Sequence, residues 1–206
     1  MLLAVVFVTC QNGDMVHTFK CGAPVLDFVG TLRARRNAVP TEMLTSAESL
    51  EAWFRESGVV DGDARCEPSD VRQAIALREA IYLLIVATLQ GEDWDADALA
   101  LVNDTARTPS AVPRLVRRGC RQVEGSPRQA LSSIARQAVE LLGGPEAALL
   151  KECSRGECTQ VYLDRSHGGR REWCAMDPCG NRIKAAAYRA RKRNEARAAS
   201  PVRPGR

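Results

Sequence analysis

The decisive stretch runs from residue 153 to residue 184: CSRGECTQVYLDRSHGGRREWCAMDPCGNRIK. Cys153 and Cys158 form one C-x4-C pair, and Cys174 and Cys179 form another, with 15 residues between the pairs. Cysteines paired at short spacing are what one tetrahedral ion needs, because each short loop brings two thiolates to about 2.3 Å from the metal. Zn²⁺ is the default for four thiolates, and iron also suits such a site. Two disulfides, or four free buried thiols, are the alternatives at this point. The other four cysteines, Cys10, Cys21, Cys66 and Cys120, are scattered at gaps of 11, 45 and 54 residues. They read as small buried apolar residues.

Local signals around the pairs arrange them in space. Gly156 lets the first loop turn as a tight knuckle. Residues 161–164 read as a strand, residues 166–169 as a turn, and residues 170–174 as a returning strand. Asp177 and Pro178 read as the cap and first position of a helix that continues to about residue 193. Cys179 then falls in the first helical turn, where backbone N–H groups and the helix dipole favour a thiolate. Knuckle, hairpin and helix make a treble-clef zinc finger.

At 100° per residue, Arg182, Arg189 and Arg193 fall near one line of that helix. Lys184 and Arg191 share another line. Ile183, Ala187 and Ala190 form a narrow apolar stripe, the expected packing face. A basic helix anchored by zinc can lie in a DNA groove and neutralise phosphates. The candidate contacts are Arg170, Arg171, Arg182, Lys184, Arg189, Arg191, Lys192 and Arg193; the bland reading is a solvated helix.

The charge distribution agrees with a basic C-terminus. The 206 residues carry a formal charge of +4. Residues 151–206 hold 14 Lys and Arg against 6 Asp and Glu, a net of +8, which leaves residues 1–150 at a net of −4. A polyanionic partner at the C-terminus is the implication. Hydrophobic residues make up 45% of the chain and charged residues 26%, values of a globular protein that argue against a fibrous or wholly disordered one.

Upstream, the pattern is mostly helical. Residues 15–30 read as a short strand, a Gly-Pro break and a second extended or turn segment. A capped helix follows from about residue 45, with Leu50, Trp53 and Phe54 on one face and Gly58 at its end. Residues 68–90 give the strongest helix, apolar nearly all round through Val71, Ile75, Leu77, Ile81, Leu84, Ile85 and Leu89, and so central and buried. A helix over 95–107 turns Leu99 and Val102 inward. Residues 111–124 alternate apolar and basic positions around Gly119, as a small hairpin does. A helix over 127–142 and a short one over 146–151 lead into Cys153.

The predicted fold is mainly α with minor β. Residues 1–15 form an uncertain N-terminal extension, 16–150 a helical domain, 151–194 the zinc finger, and 195–206 a disordered basic tail. No uninterrupted run reaches the roughly 18–20 apolar residues of a membrane span. Residues 1–10 have an apolar core, but no Lys or Arg precedes it and no cleavage pattern follows, so export is not expected. Met15 is an alternative start.

The residues 173–184, WCAMDPCGNRIK, resemble the CGNR zinc finger, which takes its name from the last ligand and the Gly-Asn-Arg after it. The match extends over 153–193 and includes Arg170-Arg171-x-Trp173-Cys174. Upstream, Gly22-Ala-Pro-Val-Leu26-Asp27-Phe28-Val29, Leu50-x-x-Trp53 and Leu77-Arg78-Glu79-Ala80-Ile81-Tyr82 resemble the ABATE domain of stress-induced bacterial transcription regulators, a looser match. The combined resemblance, over residues 16–193, implies a treble clef that binds DNA and a helical domain that senses a small ligand. Gly30 departs from the family, where Asn often precedes Thr31.

The functional expectation is a cytoplasmic, DNA-binding transcription regulator with one structural Zn²⁺. Its partners would be DNA, a small-molecule effector and a second copy of the chain, with no membrane. A zinc-stabilised protein- or RNA-interaction module is the alternative, and an enzyme a more distant one. Four protein ligands leave no open metal position for substrate. The chain has only His17 and His167, and no GxSxG, GxGxxG, Walker loop or HExxH. No catalytic constellation is expected, and no ligand-binding residue can be named.

Overall fold

The computed structural model describes residues 16–116 and 119–198. The expectations for residues 1–15, including Cys10 and the start at Met15, lie outside the described residues, as do residues 199–206.

Residues 22–29, read from sequence as a break and an extended segment, instead form a helix, α1 (Pro24–Val29). Pro24 supplies the fixed φ of a first helical position. Asp27 draws the chain in, accepting from the backbone N–H groups of Lys20 at 2.8 Å and Cys21 at 2.9 Å. Val25, Leu26, Phe28 and Val29 are all buried, a helical rather than an alternating pattern. Two short strands, β1 (Leu32–Arg33) and β2 (Thr41–Glu42), pair antiparallel inside the Arg-rich loop.

The helix signals after this hold. α2 (Ala47–Ser57) begins at Ser46, whose hydroxyl accepts from Ser49 N–H while the Ser49 hydroxyl accepts from Ser46 N–H. It ends at Gly58, whose φ of 70° needs the freedom of glycine. α3 (Pro68–Gln90) is the central helix, flanked by α1, α2, α4 (Ala96–Arg107) and α5 (Pro127–Gly143). By length and average composition α3 could cross a membrane. Its setting is that of a core helix, because Leu77, Ile81, Leu84 and Ile85 are buried by its neighbours. Ile75 is only half-buried and Leu89 is exposed, so its apolar girdle is narrower than the sequence suggested.

β3 (Val112–Leu115) and β4 (Arg121–Glu124) form the expected hairpin, with Pro113 opposite Val123. After α5, a 3₁₀ turn (Pro145–Leu149) replaces the short helix expected over 146–151. It leads directly into β5 (Leu150–Glu152), which pairs antiparallel with β6 (Val161–Leu163). α6 (Asn181–Ala198) closes the described chain and runs into the stretch expected to be disordered from residue 195. The fold is α-dominant with three two-stranded sheets among the described residues.

The zinc-finger segment does not hang from a linker. Val161, Tyr162, Leu163 and the four paired cysteines belong to one continuous buried cluster with α1, α2, α3 and α5. Leu163 N–H donates to Cys21 O at 2.9 Å and Asp164 N–H to Leu149 O at 2.8 Å. Gln160 reaches back to donate to Gly30 O at 2.8 Å, and Arg36 pairs with Glu152 at 2.7 Å. Glycine at position 30 makes room for this approach, since a Cβ there would stand 2.2 Å from Gln160 Oε1. That is the physical role found for the position where this chain departs from the family pattern.

Candidate metal centre and basic helix

The first cysteine pair sits in the connection between β5 and β6, with Cys153 directly after one strand and Cys158 shortly before the other. Cys153 N–H donates to Gln160 O at 3.0 Å, and Cys158 N–H to Arg155 O at 2.7 Å, which closes the knuckle. In the second pair, Cys174 precedes the turn Met176–Gly180 and Cys179 lies within it, just ahead of α6. The sequence placed Asp177 as a helix cap and Pro178 as the first helical residue. Asp177 has the extended backbone of a cap residue, φ −104° and ψ 125°, the Asp177–Pro178 peptide is cis, and one wide helical turn through Pro178, Cys179 and Gly180 runs into the α-helix at Asn181. Cys179 therefore lies in the helical turn that leads straight into α6, as expected.

The hairpin of the zinc module differs from the expectation. The expected return strand over 170–174 is not a strand: β6 pairs with β5, across the knuckle. The segment 170–174 is held by side chains instead. Ser154 N–H and its hydroxyl both donate to Glu172 O, at 2.9 and 2.7 Å, and Tyr162 OH donates to Arg171 O at 2.7 Å.

The four sulfurs lie within 4.8 Å of one another and all four cysteines are buried. Cys158 Sγ is 3.9 Å from Cys174 Sγ, and Cys174 Sγ is 3.7 Å from Cys179 Sγ. A tetrahedron with metal–sulfur bonds of about 2.3 Å has edges of about 3.8 Å. A disulfide needs about 2.05 Å, so these contacts are not disulfides. The thiols also perturb one another. The hydrogen bond from Cys174 favours the Cys158 thiolate, whereas that same bond and burial push the Cys174 thiol up. Burial, then the nearby Cys158, raises Cys179. Four thiolates this close need a dication between them, and the donor set fits one structural Zn²⁺ with no position left for substrate.

Asp164 organises the floor of the site. This buried carboxylate accepts from Lys151 Nζ at 2.7 Å, Ser166 N–H at 3.0 Å and Arg171 N–H at 3.1 Å. The Lys151 bond, with those from Ser166, holds it far below the usual carboxylate range. The sequence reading missed this role, because an Asp after a strand looks like any turn residue.

Of the candidate nucleic-acid contacts, Arg171 is otherwise engaged. Its guanidinium lies over the Tyr162 ring, 4.3 Å from the centroid, and donates to the carbonyls of Trp173, Lys20 and Cys174. It ties the module together and is removed from the set. Arg170 is exposed beside the turn. Arg182, Lys184, Arg189, Arg191, Lys192 and Arg193 are all exposed on α6. The expected packing stripe is slight: Ile183 and Ala190 are half-buried, but Ala187 is exposed. The main packing contact of α6 is the turn from which it grows.

Neither histidine joins a site. His167 is exposed in the turn. His17 is buried against α2, with Nδ1 2.9 Å from Glu56 Oε2, while its backbone N–H donates to the same carboxylate at 2.8 Å. Of the scattered cysteines, Cys21 is buried as expected, but Cys66 and Cys120 are only half-buried.

The ABATE family model, described as a putative stress-induced transcription regulator, matches residues 22–145. The chain belongs to the ABATE family. The CGNR zinc finger model matches residues 150–192, so the two occur in the expected order. No curated protein matches the chain. The ABATE match covers α1 through α5, and the CGNR match begins at β5 and takes in all four ligands.

Proposed function

We propose that this ABATE protein is a DNA-binding transcription regulator of the cytoplasm, with α6 as the DNA-contacting helix and the ABATE domain as a sensor of a small ligand. The reading involves no catalytic step. The observation that carries it is the state of α6. Arg182, Lys184, Arg189, Arg191, Lys192 and Arg193 stand on a helix about 27 Å long whose sides are exposed, against one acid, Glu195. One α-helix fits the major groove of B-DNA, and exposed guanidinium groups replace the counterions of phosphates. The four-cysteine centre fixes the base of the helix.

The test is binding to genomic fragments across a salt series. Affinity should fall steeply with salt, and a sequence-preferred fraction should persist above the non-specific background. Replacing Arg182, Arg189 and Arg193 together by Ala should flatten the salt slope by about 0.9 for each phosphate no longer neutralised. Zinc content and helix signal should stay unchanged. Uniform weak binding that ignores these arginines would sink the proposal. Preference for single-stranded RNA would transfer the helix to the alternative reading.

A further inference from the structure

A half-open cleft of about 390 Å³ lies on the ABATE domain, between the start of α1, the end of α2, the β3–β4 hairpin and α5. That volume falls in the range of small-molecule sites, about 300–1,000 Å³. Its surface is mixed: Pro24, Val59 and Val123 supply apolar faces, although the two valines are almost fully buried, beside Ser57, Ser133, Arg121 and Gln137. Val59 and Val123 are carried on a braced frame, because Asp61 accepts from Val123 N–H at 2.6 Å and donates its own N–H to Val123 O at 3.0 Å.

The polar groups of the cleft divide into two kinds. Ser57 and Ser133 are already engaged. The Ser57 hydroxyl donates to Phe54 O at 3.0 Å, and the Ser133 hydroxyl donates to Gln129 O at 3.0 Å while accepting from Ala111 N–H at 3.1 Å. Arg121 and Gln137 differ. Among the described residues neither side chain has a hydrogen-bond or ion-pair partner, and they reach the cleft from opposite elements, β4 and α5. Arg114, the other described arginine of the hairpin, is by contrast paired with Glu124.

We propose that this cleft binds a small organic acid, with the carboxylate on Arg121 and Gln137 and the apolar body against Pro24, Val59 and Val123. A guanidinium presents a fork that matches a carboxylate, and an amide N–H₂ adds a neutral donor beside it. The apolar faces of Pro24, Val59 and Val123 favour an anion with an apolar body over a wholly hydrophilic one. The acid is an effector only within the regulator reading above. Its binding is measured without DNA, so failure of one does not imply failure of the other.

The probe is phenylacetate, compared with phenylacetamide, its neutral isostere. The readout is the methyl NMR signals of Val59 and Val123 in the full-length zinc-loaded protein. Phenylacetate should shift both in a saturable way. Phenylacetamide should bind about tenfold or more weakly, as expected for loss of a charge-assisted contact of about 1.5 kcal/mol. Arg121→Gln should cause a similar loss without changing the melting temperature, since the side chain is exposed and unpaired among the described residues. Gln137→Ala should weaken binding by less. Shifts that do not saturate, equal response to acid and amide, or full affinity in Arg121→Gln would each overturn the assignment.

Discussion

The helical body and the zinc module bury their interiors by different means. The body uses ordinary apolar packing, with Trp53, Phe28, Leu77, Ile81 and Ile134 fully enclosed among five helices. The module spans only β5 to the base of α6. Its buried apolar residues are Leu150, Val161, Tyr162 and Leu163, and the rest of its interior is the four cysteines with Thr159 and Asp164. A unit of about 40 residues cannot hold itself together by apolar burial alone and needs a metal. Yet the two interiors are continuous, through Cys21, Gly22 and Gly30 on one side and Gln160, Leu163 and Arg165 on the other. The difference teaches that dependence on the metal is local, while its consequences are not.

The largest expected effect tests that continuity. Cys179→Ser, or removal of zinc by a chelator, should unfold the module outright, because structural zinc contributes apparent binding energies of about 10–16 kcal/mol in comparable small units. Metal analysis should fall from about one zinc per chain to none. The melting temperature of the body should also drop, since β6 and the knuckle cover α1. An unchanged body transition would show two independent units and break the comparison.

A smaller effect probes the body by itself. Arg78 is fully buried in the middle of α3, with Glu42 accepting from both its terminal nitrogens at 2.6 and 2.7 Å and Glu79 accepting from Nε at 2.8 Å. Glu42→Gln leaves a buried cation short of its partner and should cost about 3 kcal/mol in urea denaturation. Arg78→Met should cost less, because Glu42 and Glu79 are partly exposed and can hydrate. The pH dependence has a definite sign. Burial alone would raise the Glu42 pKa, but the hydrogen bonds from Arg78 overcome it and hold it below its ordinary value. Its contribution is present above the unfolded carboxylate value of about 4.3 and is lost as pH falls through the lower folded value. The deficit of Glu42→Gln against the parent should therefore shrink in acid. A deficit that grows in acid would contradict the pairing.

The smallest effect lies at the seam between the two regions. Gln160→Ala should cost about 1 kcal/mol through its bond to Gly30 O. Gly30→Ala should cost a similar amount by displacing the Gln160 amide, whose far end can swing aside. The two should not add in the double variant, because both remove the same contact. Additive losses would place the role of Gly30 elsewhere.

How far these features were legible in the sequence depends on their range. The four ligands, the helix starts near Ser46 and Pro127 and the stop at Gly58 are local chemistry at fixed spacing, and all were readable. α1 escapes the sequence reading because Pro24, two residues after Gly22, signals a break as readily as a helix start, and six residues carry too little periodicity to decide. The return strand over 170–174 was misplaced because hairpin logic pairs consecutive segments, whereas β6 finds β5 on the far side of the knuckle. Arg171 reads as one more cation in the sequence, but Tyr162 and four backbone carbonyls claim it. The Arg78–Glu42 pair and the Gln160–Gly30 bond join residues distant in sequence, and no single-residue signal marks either.

The mounting of α6 has a mechanical consequence. A rod about 27 Å long, held at one end, magnifies any angular play at its support. A tilt of about 5° at the turn Met176–Gly180 would carry the free end through about 2 Å, more than half the roughly 3.4 Å rise of one base pair. Lys20 Nζ donates to Asp177 O at 3.4 Å, and Arg171 clasps the carbonyls of Trp173 and Cys174 just ahead of that support. Lys20 and Arg171, neither of them on α6, thus set where the lever points.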